Sequence, residues 1–478
     1  MPPLSTLNKT ALTLAITQAV TLSSAQTVTS DEIAAIRVDN FTDVFVAGRC
    51  SLREAIMSAN QQPVPPNTGC ATGLGYDTIV FENTEAVTIS LTAPLPNIFS
   101  SMSIIGGTGG VTVDASNIDS RILDINNNFN VPPTVLIKNM TLTGANVENL
   151  YGAGLIINRQ ANVTISNSTI TENTTNLIGG GVAVLGNSIL TVVDSTISNN
   201  TATLNTTPIN GYYANRGGGI YVHSGSRLNI DRSTLANNNA PNGGGIFSNG
   251  DVTLINSTLS ENTAVNGTGG GIFSNGDATL INSTLSGNTS RFGGGGIDVG
   301  YNAEITLTNS TLSGNTATND GGGLFNLGTV NVTNSIISGN TTGSSSSQDI
   351  FNLANLTLSN SLIGSGALSF NTSFGELNDG DGRLVTISET IFAASDRNNI
   401  PLNQIIGPLR DNGGPTQTHA LVFGSPAIDA AKGEDCPDTD QRGETRDNQC
   451  DIGAFEIVEE QSFFVLPLPN GKAVIFSL

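Results

Sequence analysis

Ionisable side chains are sparse in this sequence, and their spacing decides what chemistry they can support. Between residues 150 and 345 there is one histidine, His223, and the bases are Arg159, Arg216, Arg227, Arg232 and Arg291. Elimination on a uronate chain needs clustered carboxylates for calcium with an Arg or Lys base beside them. Hydrolysis needs two carboxylates flanking the glycosidic bond. Asp194, Asp231, Asp251, Asp277 and Asp298 recur at intervals, but Asp251 and Asp277 stand in Asn-Gly-Asp turns, where the turn itself accounts for them. Neither Gly-His-Gly nor Arg-Ile-Lys occurs. Near the C-terminus Asp429, Asp440, Asp451 and Glu456 accompany His419, in no EF-hand or zinc-protease spacing. They read as parts of a knotted structural segment, with a cation site as the alternative. No catalytic set, metal site or cofactor is assigned, and calcium is the one ion the acidic balance would accommodate loosely.

The elements that must position these residues are repeats. Seven segments share an aliphatic residue, Ser three later, Leu or Ile two later, and Asn three after that. Their serines are Ser168, Ser195, Ser233, Ser257, Ser283, Ser310 and Ser335, at steps of 27, 38, 24, 26, 27 and 25 residues. The asparagines are Asn173, Asn200, Asn238, Asn262, Asn288, Asn315 and Asn340. Between copies stands a glycine run followed by an aliphatic residue, as in GGGIFSNGDVTL. Gly-Gly-Gly excludes helical arms of the needed length, and a propeller blade needs about 40 residues. A period near 26 suits one turn of a three-sided parallel β-coil, so the fold expected is all-β, a right-handed parallel β-helix of about ten coils rising about 4.8 Å each. Leu254, Leu259, Leu280 and Leu285 are expected inside, and the asparagines are expected to stack as a structural amide ladder at one corner.

Strand alternation then places the residue after each inward aliphatic outside: Tyr221, Phe247, Phe273, Asp298 and Phe325. The long step between Ser195 and Ser233 adds a loop carrying Tyr212 and Tyr213. Exposed rings beside Asn and Asp suit stacking on sugar faces. Tyr212, Tyr213, Tyr221, Phe247, Phe273 and Phe325 are therefore the candidate ligand-binding residues, for an extracellular polysaccharide or another surface polymer. The competing reading is that the rings pack on one another and on flanking loops.

The ends differ from the middle. Residues 1–25 hold Lys9, an apolar run from Ala11 to Leu22, and small residues Ser23 and Ala25, the features of an export signal. No other run is long enough to span a membrane as a helix. The net charge of -21 disfavours nucleic acid and anionic membranes. The four cysteines fall into two local pairs, and in an oxidising compartment Cys50–Cys70 and Cys436–Cys450 are the expected bonds among three connectivities. A zinc site lacks the spacing. CSLREAIMSAN reads as a capped helix, with Ser51 and Glu54 as a capping box, lidding the first coil. The tail SFFVLPLPNGKAVIFSL reads as a hairpin turning at Asn470-Gly471. The expected layout is an export signal over 1–25, an N-terminal cap over 26–102, the β-helix over 103–375, a C-terminal cap over 376–456 and the hairpin over 457–478. A monomer is the expected state.

Three phrases carry a family resemblance. CSLREAI resembles the signature of the CSLREA-domain proteins. PLRDNGGPTQTHALVFGSPAIDA with DQRGETR and CDIGAFE is similar to the choice-of-anchor Q domain of bacterial secreted proteins. The GGGIFSNGDVTLINSTLSENTA coils resemble pectin-lyase-like β-helices and the repeats of polymorphic outer-membrane proteins. The resemblance implies an exported, extracellular or cell-surface protein; the sparse ionisable residues and the candidate rings point to a non-catalytic, adhesin-like or polymer-binding role. Its fold also hosts polysaccharide lyases and glycoside hydrolases, which is the alternative. The chain has no LPXTG or PEP-type tail and no final apolar run, and its C-terminus is too short for an autotransporter barrel, so attachment by those routes is not expected.

Overall fold

The computed structural model describes residues 35–126, 131–203, 216–343, 349–364, 368–370, 385–392, 400–432, 436–458, 464–467 and 473–476. The proposed export signal, Tyr212, Tyr213 and the Asn470-Gly471 turn lie outside these residues.

Each repeat winds once around an apolar lumen, and equivalent strands of successive repeats pair in parallel. In the coil that begins at Asp251 the strands are Asp251–Ile255, Thr258–Ser260, Thr263–Ala264 and Ile272–Ser274. We call the sheets they belong to sheets 1, 2, 3 and 4, with 13, 12, 8 and 10 strands. A coil thus has four strand runs where three sides were expected. The fourth, sheet 3, is two residues wide, and follows the corner asparagine closely enough to keep pairing with its neighbours. The rod also starts upstream of residue 103, because Ile36–Val38 and Asp77–Phe81 extend sheet 1 into the segment read as the N-terminal cap.

The lumen holds one side chain of each aliphatic column. Leu254, Leu259, Leu280 and Leu285 are fully buried, as the repeat phrase implies. Corners use residues able to adopt positive φ. Between sheets 1 and 2 the residue before each repeat serine, such as Asn256, Asn282 and Asn309, has φ of 50°, 46° and 44°, a conformation for which asparagine is favoured. Behind that corner each serine hydroxyl accepts the backbone N–H of the preceding coil's serine, as from Ser257 to Ser283 at 3.3 Å.

The repeat asparagines form a continuous ladder with no solvent access. Asn262 donates its side-chain amide to Asn288 Oδ1 at 2.9 Å and to the Leu235 carbonyl at 3.0 Å, while its own Oδ1 accepts from both amides of Asn238. Four bonds per residue leave nothing unpaired, which a buried amide requires. The glycine run makes room for it. A Cβ on Gly245 would stand 2.6 Å from the Gly271 carbonyl oxygen and 3.1 Å from Asn262 Cγ, so the ladder and the run specify each other.

At the N-terminal end the helix Leu52–Ala59 lies against Ile36–Val38 and Asp77–Phe81. Ser51 and Glu54 make the full capping box. Arg53 pairs with Asp43 at 2.7 Å and donates to the Ala93 carbonyl, a structural role. The Cα atoms of Cys50 and Cys70, bonded through sulfur, are 4.7 Å apart, and those of Cys436 and Cys450 are 6.6 Å apart, both within disulfide reach. Phe464–Pro467 and Ala473–Phe476 pair antiparallel as the terminal hairpin.

Candidate functional site

The aromatic column exists, but it is not an open platform. Tyr221, Phe247, Phe273, Asp298, Phe325 and Phe351 stand in register on sheet 4. Tyr221–Phe247 and Phe247–Phe273 rings stack at 5.6 and 4.7 Å, and Phe325–Phe351 at 5.2 Å. Tyr221 and Phe247 are nevertheless only 6% and 3% exposed, and Phe273 and Phe325 are half-buried. Alternation does turn these rings away from the lumen. The chain arriving from sheet 3 then folds back over them, so that a Cβ on Gly243 would be 2.7 Å from Phe247 Cβ. Ile178 and Leu185 close the cluster, and the Arg216 guanidinium lies 4.7 Å over the Phe247 ring. The column is a second apolar core outside the lumen. Asp298 interrupts it, and burial pushes its carboxyl up to about 7.

The exposed regular feature is on sheet 2. Its outward side chains form two columns. The first runs through Thr88, Thr112, Thr141, Thr169, Thr196 and Thr234, and continues as Thr258, Thr284 and Thr311. The second holds Ser90, Asp114, Thr143, Thr171, Ser198, Ala236, Ser260, Ser286 and Ser313. One strand separation, about 4.8 Å, sets the spacing along the rod. The signal was present in the sequence as the threonine directly after six of the seven repeat serines, Ser335 being followed by Ile336, and as the Ser or Thr two further on in every copy but one, where Ala236 stands. It was overlooked because hydroxyls carry no hydrophobic period.

The two halves of this face differ. From Thr88 to Thr234 the first column is exposed or half-buried, whereas Thr258, Thr284 and Thr311 are buried. The cover is the C-terminal segment from residue 400 to 458, which lies along the side of the rod and does not sit across its end. Thr258 Oγ1 donates to the Gln417 carbonyl, and Thr284 Oγ1 to Gln441 Oε1, both at 2.6 Å. Thr311 Oγ1 accepts from Ala454 N at 3.2 Å. Gln441 Nε2 returns to Thr258 Oγ1 at 2.8 Å. Asn282 donates to the Thr439 carbonyl and Asn309 to the Asp451 carbonyl. The first hydroxyl column therefore bonds backbone and side-chain amide groups of a folded segment laid against it.

The conspicuous charges of this strap hold it together. Asp440 pairs with Arg442 and Glu456 with Arg446, both at 2.8 Å and both buried. The Arg442 guanidinium sits 3.7 Å over the Phe455 ring. Asp440 Oδ2 also accepts Glu456 N, and Asp451 accepts the backbone N–H of Asp429 and Ile457. Burial pushes Asp451 up to about 7. Among the described residues no three His, Cys, Asp or Glu side chains converge as a metal-binding group. His419 is buried, with Nδ1 2.7 Å from the Gly407 carbonyl oxygen and Nε2 2.9 Å from Ser286 Oγ.

Beside the uncovered columns lies a polar depression of about 240 Å³, lined by Gly107–Gly110, Asn139–Thr141 and Asn167–Thr169. It joins the first threonine column to the left-handed asparagine corner, and so places amides and hydroxyls in one groove.

Residues 97–290 match the family described as a right handed beta helix region. The match takes in the sheet 2 strands from Val111–Asp114 to Thr284–Ser286, uncovered and covered alike, and ends before the strap. No curated protein and no solved structure matches the chain. The parallel coils described above are those of a right-handed β-helix.

Proposed function

We propose that this right-handed β-helix is an exported scaffold that holds an extended polymer along the uncovered half of sheet 2, by adhesion and not by bond cleavage. One observation carries the reading. The hydroxyl columns that grip the chain's own strap from Thr258 to Thr311 continue, in register and open, from Thr234 back to Thr88. A polymer lying along the rod meets a hydroxyl at every strand, with the groove at Asn139 and Asn167 to one side. The acidic surface favours a neutral or basic polymer over a nucleic acid. The two sequence-local cysteine pairs, and the likeness of CSLREAI and CDIGAFE to exported proteins, support an extracellular or cell-surface location.

The test is an array of polysaccharides and surface polymers probed with the parent and with a Thr141→Val, Thr169→Val, Thr196→Val variant. These changes remove hydroxyls at constant shape. Binding by the parent and its loss in the variant, with unchanged melting, is the expected result. Equal binding by both, or none by the parent, overturns the reading. Unsaturated or shortened products on the same array would mark a lyase or hydrolase instead.

A further inference from the structure

We propose that Ser286 and His419 form a nucleophile–base pair that hydrolyses small apolar esters in the cleft between the strap and the rod. This site is independent of the polymer-binding columns upstream.

The geometry fixes the proton positions. A carbonyl oxygen only accepts, so the 2.7 Å contact with Gly407 places the proton of His419 on Nδ1. Nε2 then carries the lone pair, and Ser286 Oγ donates to it at 2.9 Å. A hydroxyl bonded to a base that is itself oriented by a third group is the arrangement of an activated serine. Burial lowers the imidazole pKa and keeps it neutral. Of the two histidines in the chain, His223 has no such arrangement, being exposed with Nδ1 3.0 Å from the Ser224 carbonyl oxygen.

The pair adjoins a place for a ligand. His419 forms part of the wall of a cleft of about 480 Å³, whose other walls include Leu402, Ile406, Pro408, Val422 and Gly314. Ser286 stands behind this wall and does not line the cleft itself: a Cβ built on Gly314 would lie 3.9 Å from Ser286 Oγ. No side chain at Gly314 stands between the cleft and the nucleophile. The lining is mostly apolar, with Ser313 and Asn403 beside His419, and Ser286 is only 7% exposed, which favours a short acyl group.

The reaction balances without a cofactor. Ser286 Oγ bonds to the acyl carbon as its proton passes to His419 Nε2. Collapse breaks the bond to the alcohol oxygen, and the alcohol leaves with that proton. Water then attacks the acyl-serine, giving one proton to Nε2, and Ser286 recovers it as the carboxylic acid departs. The Gly407 carbonyl holds Nδ1–H while the ring is cationic.

The full chain should be treated with p-nitrophenyl acetate and, separately, with a fluorophosphonate, followed by peptide mass mapping. Expected are steady p-nitrophenolate release and a fluorophosphonate adduct on Ser286. Release should fall as pH drops through the titration of the imidazole. Ser286→Ala and His419→Gln should each slow release by at least ~100-fold, while Ser260→Ala, in the same column, should not. Because either change can loosen the strap, Ser286→Cys gives a second reading: its thiol should be alkylated by iodoacetamide, and more slowly once His419→Gln is added. A parent chain with no adduct on Ser286, or labelling indifferent to His419, overturns the proposal and leaves the pair as a docking contact.

Discussion

Asn340 is bonded twice to Asp349: its backbone N–H and its side-chain amide both donate to Asp349 Oδ1, at 3.0 and 2.8 Å. Every earlier rung of the ladder ends on the next asparagine, and this last one ends on a carboxylate. The amides all point their N–H groups toward it. The second Asp349 oxygen is buried without a protein partner, and burial pushes the carboxyl up to about 7.

That placement makes the rod pH-sensitive. The folded state holds a proton that the unfolded chain releases near pH 4. The stabilising contribution is therefore complete below that pH and is lost as pH rises through about 7. Asp298 and Asp451 are raised to a similar value and act with the same sign. Asp349→Asn keeps the accepting oxygen and removes the charge. Denaturant unfolding at pH 5 and pH 8 should show a loss of stability on going to pH 8 that is smaller in the variant, by on the order of 2 kcal/mol. An equal loss in both would remove Asp349 from the account.

Asn262→Leu breaks the ladder at its centre. Asn288 Oδ1 and the Leu235 carbonyl lose a donor, and both amides of Asn238 lose their acceptor. Each buried orphan costs about 1–3 kcal/mol, so the melting temperature should drop sharply or the rod should fail to fold. A melt within a degree or two of the parent would contradict the ladder's structural role.

Arg446→Met leaves Glu456 ionised and unpaired inside the strap, a change of about 3–5 kcal/mol in such settings. Its effect should be local. Limited proteolysis should cut first between residues 400 and 458, while a resistant fragment containing the coils persists.

Phe247→Ala tests the aromatic column as core. A buried phenylalanine removed without refilling costs about 3–5 kcal/mol, so stability should fall while polymer binding by the folded fraction stays at the parent level. A loss of binding at unchanged stability would restore the ring platform.

The coils were legible because their determinants recur. Leu259, Asn262 and Gly245 each repeat once per turn, and each has one physical reason to be where it is. Tyr221 and Phe247 were placed on the correct side of their strands, yet their burial depends on how a neighbouring corner folds over them, and alternation says nothing of that. The strap was read as an end cap because DQRGETR and CDIGAFE show charge without period. Its place on Thr258, Thr284 and Thr311 is set by single hydrogen bonds across more than a hundred residues, as between Thr284 and Gln441. Ser286 was invisible as a site for the same reason. It is one serine in a column of similar residues until His419 arrives, 133 positions later.

The strap bonds to coils from Asn256 to Glu389, and the helix Leu52–Ala59 packs against the first strands. The stretch between is bounded by ladders whose rungs fit any neighbour bearing the same Ser, Thr and Asn. Tandem duplication or loss of a turn in that stretch would lengthen or shorten the molecule without remaking either terminus. The 38-residue step from Ser195 to Ser233 lengthens a loop within one coil, and the registers of sheets 1 and 2 run through it unbroken. The length of the rod is thus a quantity that recombination can adjust in increments of one rung.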